Sequence, residues 1–153
     1  MENTMENTLE NTLENTLENT LENTLENENA ALMRKADQAL AAGDFTGFLG
    51  LHTDDVVMHV PGTSVLAGEH YGRQGLAEVF QREASMLDAP PEFVPLDTLG
   101  SAGHAASVVI QRLQRNGRHY EGLQVVLARV RDGQMAEVWF RPEDQAAFDA
   151  FFN

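Results

Sequence analysis

The sequence predicts an α+β domain, with helices laid on one face of an antiparallel sheet, behind a low-complexity N-terminal segment. Three features carry that expectation. The dipeptides Asn116-Gly117 and Asp132-Gly133 each separate two long strand-like runs, the pattern of tight hairpins and so of a three-stranded meander. Two stretches upstream, 28–42 and 76–87, space their apolar residues three and four apart, as one-sided helices do. Between them a β-branched run, 54–60, stops at Pro61-Gly62. Helix, strand and helix followed by consecutive strands is an α+β order, not the βαβ alternation of a parallel sheet.

The chain opens on MENTMENT and then repeats LENT from Leu9 to Thr24. Four residues turn a helix through about 400°, so Leu9, Leu13, Leu17 and Leu21 drift around the axis and form no straight apolar stripe. Leu and Glu favour helix, whereas Asn and Thr compete for backbone groups, and Glu spaced by four adds a small repulsion at each step. Residues 1–28 are therefore expected to be a disordered tail or an extended helix. The folded domain is expected over 29–153, its first helix capped by Asn29. A site needs unlike groups in fixed geometry, which the repeat does not supply, so cutting residues 1–27 is expected to leave function unchanged.

Within the domain, ENAALMRKADQALAAGD reads as a helix that stops at Gly43, with Asp44 capping the short turn DFTGFLGLH. SVLAGEHYGRQG reads as a loop punctuated by Gly68, Gly72 and Gly75. LAEVFQREASML is a second helix with Leu76, Val79, Phe80, Glu83 and Leu87 near one face, closed by Pro90-Pro91. The meander strands follow over 105–115, 118–131 and 134–142, and EDQAAFDAFF forms a short last helix after Pro142.

The formal charge of −14 is unevenly placed. Eight of the 24 acids lie in the first 28 residues, leaving 16 acids against 10 basic residues, a net of −6, for the rest. Neither part has the basic face that phosphate backbones demand, so no nucleic-acid partner is expected, and acidic surface argues against anionic membranes. No apolar run approaches the ~20 residues that span a bilayer, and the N-terminus lacks a secretory pattern, so a cytoplasmic protein is expected. Absence of cysteine excludes disulfides and thiolate chemistry. His52, His70, His104 and His119 are scattered without metal-ligand spacing, and no glycine-rich loop ends in the Lys of a phosphate site. Neither a metal nor another cofactor is expected.

Two segments, ALAAGDFTGFLGLHTDDVVMHVPGTSVLAGEHYGRQGLAEVF and VVLARVRDGQMAEVWFRPEDQAAFDAFF, together resemble the SnoaL-like polyketide-cyclase family. That family shares a superfamily with ketosteroid isomerase, limonene-epoxide hydrolase and the nuclear transport factors. The resemblance runs over about residues 30–153 and implies a cone-shaped curved antiparallel sheet wrapped by helices around an apolar pocket, usually in a dimer. It also implies catalysis on a small molecule in that pocket. The known site patterns are not copied. Val126 falls where a second acid of the steroid isomerase is expected, and the Asp–Arg–Asp set of the epoxide hydrolase would fall on Val109, Ser107 and Phe140, so hydrolysis is the less favoured reaction.

The resemblance places His59, two residues before Pro61-Gly62, at a catalytic position, and alternation then puts Val57 beside it. Histidine exchanges protons near neutral pH, and Asp37 could orient it as a dyad; a hydrogen-bonded structural histidine is the plainer alternative. Gln124 could hold a carbonyl or hydroxyl. Phe80, Ser107, Val109, Gln111, Val126, Val138 and Phe140 are expected to line the substrate space. The expected activity is a cofactor-free cyclisation or isomerisation of an apolar, polyketide-like molecule, by proton transfer, carbonyl polarisation or shape alone. A non-catalytic binding module is the alternative. Leu123, Val125, Leu127, Met135 and Trp139 are expected to form an apolar outer sheet face and a homodimer interface.

Overall fold

A computed structural model describes residues 2–153. A long helix, α1 (Glu2–Ala42), is followed by a short α2 (Phe45–Gly50), strands β1 (His52–Val60) and β2 (Gly68–Tyr71), and α3 (Gly72–Met86). Strands β3 (Glu92–Gly100), β4 (His104–Arg115), β5 (Arg118–Arg131) and β6 (Gln134–Pro142) then lead to α4 (Gln145–Phe152). The six strands form one curved sheet in the order β2-β1-β6-β5-β4-β3. All neighbours are antiparallel except β1 and β6, which run parallel, so the sheet is mixed rather than purely antiparallel. The two hairpin turns form as their dipeptides require: Asn116 and Gly117 at φ 52 and 74, Asp132 and Gly133 at φ 51 and 76. Positive φ at both central residues matches the turn's twist to that of the strands.

Two strands were not anticipated. Residues 68–71, expected as loop, pair with β1 as an edge strand. Residues 92–100 pair along β4 despite Pro95 and an irregularity between Pro95 and Asp97. An edge position explains both, because a strand with one free side tolerates Pro and polar residues that an interior strand excludes.

The N-terminal repeat is helical from Glu2 and continuous with the domain's first helix. Its threonines do not compete with the helix. Thr8, Thr12, Thr16, Thr20 and Thr24 each donate Oγ1–H to the carbonyl four residues back, at 2.8 to 2.9 Å. Leu9, Leu13, Leu17 and Leu21 stay 60 to 69 % exposed, so no part of the repeat up to there packs on the domain. Asn29 caps nothing, since α1 runs through it; its buried amide donates instead to Ser101 O at 2.8 Å and Ala102 O at 3.2 Å. Packing begins at half-buried Leu25, inside the expected tail. Deleting residues 1–24 is accordingly expected to change unfolding free energy by less than about 1 kcal/mol in a urea titration. A larger loss would mean that the exposed turns carry tertiary contacts.

The concave face of the sheet is closed by Leu32, Met33 and Ala36 of α1, Leu76 and Val79 of α3, and Phe148, Phe151 and Phe152 of α4. At the narrow end, Phe152 meets Phe148 at 5.1 Å and Phe151 at 5.3 Å between ring centres, while Tyr120 packs on Phe148 at 5.9 Å. Buried Asp149 ties α4 to the segment after β1 by accepting from Thr63 N at 3.1 Å and Ser64 N at 3.3 Å. Among the described residues no helix is long and apolar enough to cross a membrane.

Candidate active site

The sheet sorts the candidate residues onto two faces. On β4, Ser107, Val109 and Gln111 are buried toward the helices, and across the ladder Gln124 and Val126 of β5 and Val138 and Phe140 of β6 point the same way. On β1 the buried set is Val56, Met58 and Val60, at 0, 4 and 9 % exposure. His59 and Val57 therefore occupy the opposite, outer face, against the expectation for both. The reason is plain in the alternation: Val56, Met58 and Val60 make a wholly apolar face, whereas Asp55, Val57 and His59 make a mixed one, and the apolar face is the one that gains from burial.

On the outer face His59 has its own partners. Its Nε2–H donates to Glu137 Oε2 at 2.7 Å, its Nδ1 lies 3.5 Å from Glu69 Oε1, and its ring stacks on Trp139 at 5.4 Å. The His59 bond, aided by Arg129 at 3.4 Å, holds the Glu137 carboxyl below the usual carboxylate range. No Asp37–His59 dyad exists. Asp37 is buried on the helix side, where Ser107 Oγ–H donates to its Oδ2 at 2.6 Å.

Inside, the polar groups fall into two small cavities that share Phe140 as a wall. The first, a chamber of about 30 Å³, is lined by Met58, Leu66, Val79, Phe80 and Phe93, with Glu83, Gln111 and Gln124 as its polar groups. Gln111 Nε2–H donates to Glu83 Oε1 at 3.2 Å. Burial among these apolar groups pushes the Glu83 carboxyl up from 4.5 to about 7, against the opposing pull of the Gln111 bond. The second cavity holds Asp37 and His52. Burial raises the Asp37 carboxyl despite the Ser107 bond, and burial lowers His52 to about 4 despite its bond to the backbone. His52 is thus neutral, with Nδ1–H given to Phe48 O at 2.9 Å.

A wider vestibule of about 260 Å³ opens beside the chamber, lined by Leu40, Phe45, Ala84, Pro90 and Pro91, with Phe80 and Phe93 as the wall common to both. Phe45, Phe48 and Phe80 brace one another at 5.4 to 5.7 Å. Two residues of this arrangement lay outside the expected set. Glu83 carries a sequence signal, since it falls three and seven residues after Phe80 and Leu76 on the apolar stripe of α3. His52 carries none, because its burial depends on α2 folding back over β1.

With this geometry in view, comparison with known proteins decides the family. The family model of the SnoaL-like domain matches residues 33–138, from the last quarter of α1 to the middle of β6. The chain belongs to the SnoaL-like family. Solved structures agree on the SnoaL-like fold. Bal32a, from a soil-derived mobile gene cassette, is similar with a TM-score of 0.79 at 23 % identity, over 83 % of this chain and 98 % of that one. An NTF2-like protein from Burkholderia xenovorans LB400 gives 0.66 at 25 % identity, over 84 % and 98 %. A candidate polyketide cyclase from Xanthomonas campestris pv. campestris gives 0.69 at 18 % identity, over 84 % and 99 %. No curated protein matches the chain.

Proposed function

We propose that this SnoaL-like protein is an enzyme that cyclises or isomerises an apolar, carbonyl-bearing small molecule without a cofactor, with Glu83 moving the proton. One observation carries the reading: a half-buried carboxyl set among apolar side chains, whose burial pushes it up to about 7. A group whose affinity for protons matches ambient pH both gives and takes them, which suits proton removal beside a carbonyl and its return elsewhere. Gln111 and Gln124, with Asp37, Ser107 and His52 at the neighbouring cavity, are further polar groups within the helix-covered space. The family match and the polyketide-cyclase neighbour support small-molecule ring chemistry. His59 has no part in this reading.

The test uses 2-tetralone, an apolar bicyclic ketone with acidic α-hydrogens, as a probe in heavy water. Exchange of those hydrogens for deuterium faster than buffer alone, saturating with ketone, is expected from the full chain. Saturable binding without exchange would instead make the protein a binding module.

We further propose a homodimer through the outer sheet face. Val125 and Leu127 are 37 and 38 % exposed there, beside Leu123 and Trp139, which is more apolar surface than a solvated strand face presents. Met135 does not belong to that surface, being buried at 1 % on the helix side next to the shift in register at Val130. Light scattering at micromolar concentration is expected to give twice the chain mass, and Leu127→Glu to give the monomer. A monomeric wild type would end the proposal.

A further inference from the structure

The proposed acid sits where no substrate-sized molecule fits, and the substrate-sized space holds no acid. The chamber around Glu83 is on the scale of one water molecule at about 30 Å³. None of the side chains lining the 260 Å³ vestibule titrates, and the two spaces adjoin where Phe80 and Phe93 line both. Inside the chamber, polar groups converge on otherwise apolar walls. Gln111 is 3 % exposed; its Nε2–H is used by Glu83, but its Oε1 is fully buried and meets no protein donor. Gln124, 4 % exposed, lines the same chamber and has no side-chain hydrogen bond among the described residues. Buried acceptors without a donor are costly, and proteins commonly satisfy them with ordered water.

We propose that the chamber seats a single water molecule, held by Gln111, Gln124 and Glu83, and that this water carries the proton between Glu83 and a substrate lodged in the vestibule. The relay rests on the function proposed above; the seat does not. Water matches the hydrogen-bond inventory of the site. One of its hydrogens goes to Gln111 Oε1, it accepts from the Gln124 amide and from protonated Glu83, and its second hydrogen points to the substrate. An apolar occupant would leave Gln111 Oε1 without a donor and the Gln124 amide without a partner. In the transfer, the Glu83 O–H bond breaks as an O–H bond forms to the water, and one of the water's own O–H bonds breaks as its proton joins the substrate carbonyl oxygen. The substrate Cα–H bond then breaks as its hydrogen joins the water, its electron pair becomes the C=C bond of the enol, and the water passes one of its other hydrogens to the Glu83 carboxylate. Water and Glu83 are both restored, and the reverse sequence with a solvent-derived hydrogen gives the exchange. No further reactant is consumed.

The seat is tested with water itself as the probe, by cross-relaxation between water and the side-chain amides of Gln111 and Gln124 in the full chain. Long-lived water signals are expected at both amides, and loss of the remaining signal at Gln111 is expected in Gln124→Leu. Wild-type amides without such signals would overturn the seat, whether or not the variant folds. The relay is tested by saturating with 2-tetralone. Shifts at Ala84 and Phe93 with the water signals retained support it; loss of the water signals would place the ketone in the chamber and overturn it. Gln124→Leu is also expected to slow exchange at least about tenfold while the half-saturating ketone concentration moves less than about twofold. Water signals without any exchange in the wild type would remove the relay and the proposed function together while leaving the seat standing.

Discussion

Glu83→Gln is expected to lower exchange turnover by about 10²- to 10⁴-fold, the usual contribution of one positioned acid–base group. The substitution keeps the side chain's size and one acceptor oxygen, so the apolar chamber and its bond partner Gln111 remain. What it removes is a proton that can leave. Ketone binding should change little, because the vestibule walls do not include Glu83. Wild-type turnover should turn over near pH 7, where burial has placed this carboxyl, and the turning point should be absent in the residual rate of the variant. Glu83→Asp, one methylene shorter, should recover part of the rate. Full activity in Glu83→Gln would remove Glu83 from the chemistry, and the shape of the vestibule would be left as the source of rate.

The same variant is expected to be the more stable protein at alkaline pH. Glu83 holds its proton up to about 7 when folded, against an ordinary 4.5, so between those values the folded state binds more protons than the unfolded one. Its contribution is therefore complete below pH 4.5 and lost as pH rises through 7. At ~1.4 kcal/mol per unit, and with part of the residue open to solvent, the variant should gain on the order of 1–3 kcal/mol at pH 8 and nothing at pH 4. Asp37, also raised by burial, slopes the same way in both proteins, so the difference between them isolates Glu83. Urea titrations at the two pH values read it. A stabilised but inactive protein is what a functional strain predicts; a structural carboxylate would lose stability when replaced.

Much of the framework was open to reading because local chemistry and global fold agree. Asn116-Gly117 and Asp132-Gly133 admit few conformations besides the turns they make, and those turns set the order of the meander. Alternation along β4 and β5 put Ser107, Gln111, Gln124 and Val126 on one face, and the expected pocket inside the curve of the sheet chose that face over the equally apolar one of Val108, Leu123, Val125 and Leu127. Strand β1 failed the same method for a definite reason. Both of its faces contain valine, and resemblance to enzymes drew the histidine inward against the pattern, although the wholly apolar set marked the buried side. The edge strands were hidden because one-sided pairing needs little patterning. Glu83 was visible on its stripe but reads as an ordinary solvated helix charge unless the walls around it are known, and those come from β1, β4 and β6.

Gly100→Val is expected to destabilise the protein by about 3 kcal/mol, the upper end for forcing extra carbon into a packed site. Gly100 lies on the last pair of the β3–β4 ladder, opposite Ala105, where α1 crosses the sheet. A Cβ there would run into the carbonyl oxygen of Glu26 and stand 2.7 Å from the amide nitrogen of Ala30. Both obstacles are helix backbone, so neither can swing aside as a side-chain tip would. The helix base must lift, which stretches the bonds from Asn29 to Ser101 and Ala102 and loosens Leu32 and Met33 behind it. Hydrogen exchange should show this as lost protection between residues 25 and 33, with the turns before residue 25 unchanged. Set against the small effect expected from deleting 1–24, the contrast locates the structural start of the domain. The final, incomplete copy of the repeat, Leu25-Glu26-Asn27, keeps the first three residues of the copies before it, yet only there does the helix backbone meet a glycine that lets it close on the sheet. If Gly100→Val proved as mild as the truncation, that contact would be slack and the domain would begin further along α1.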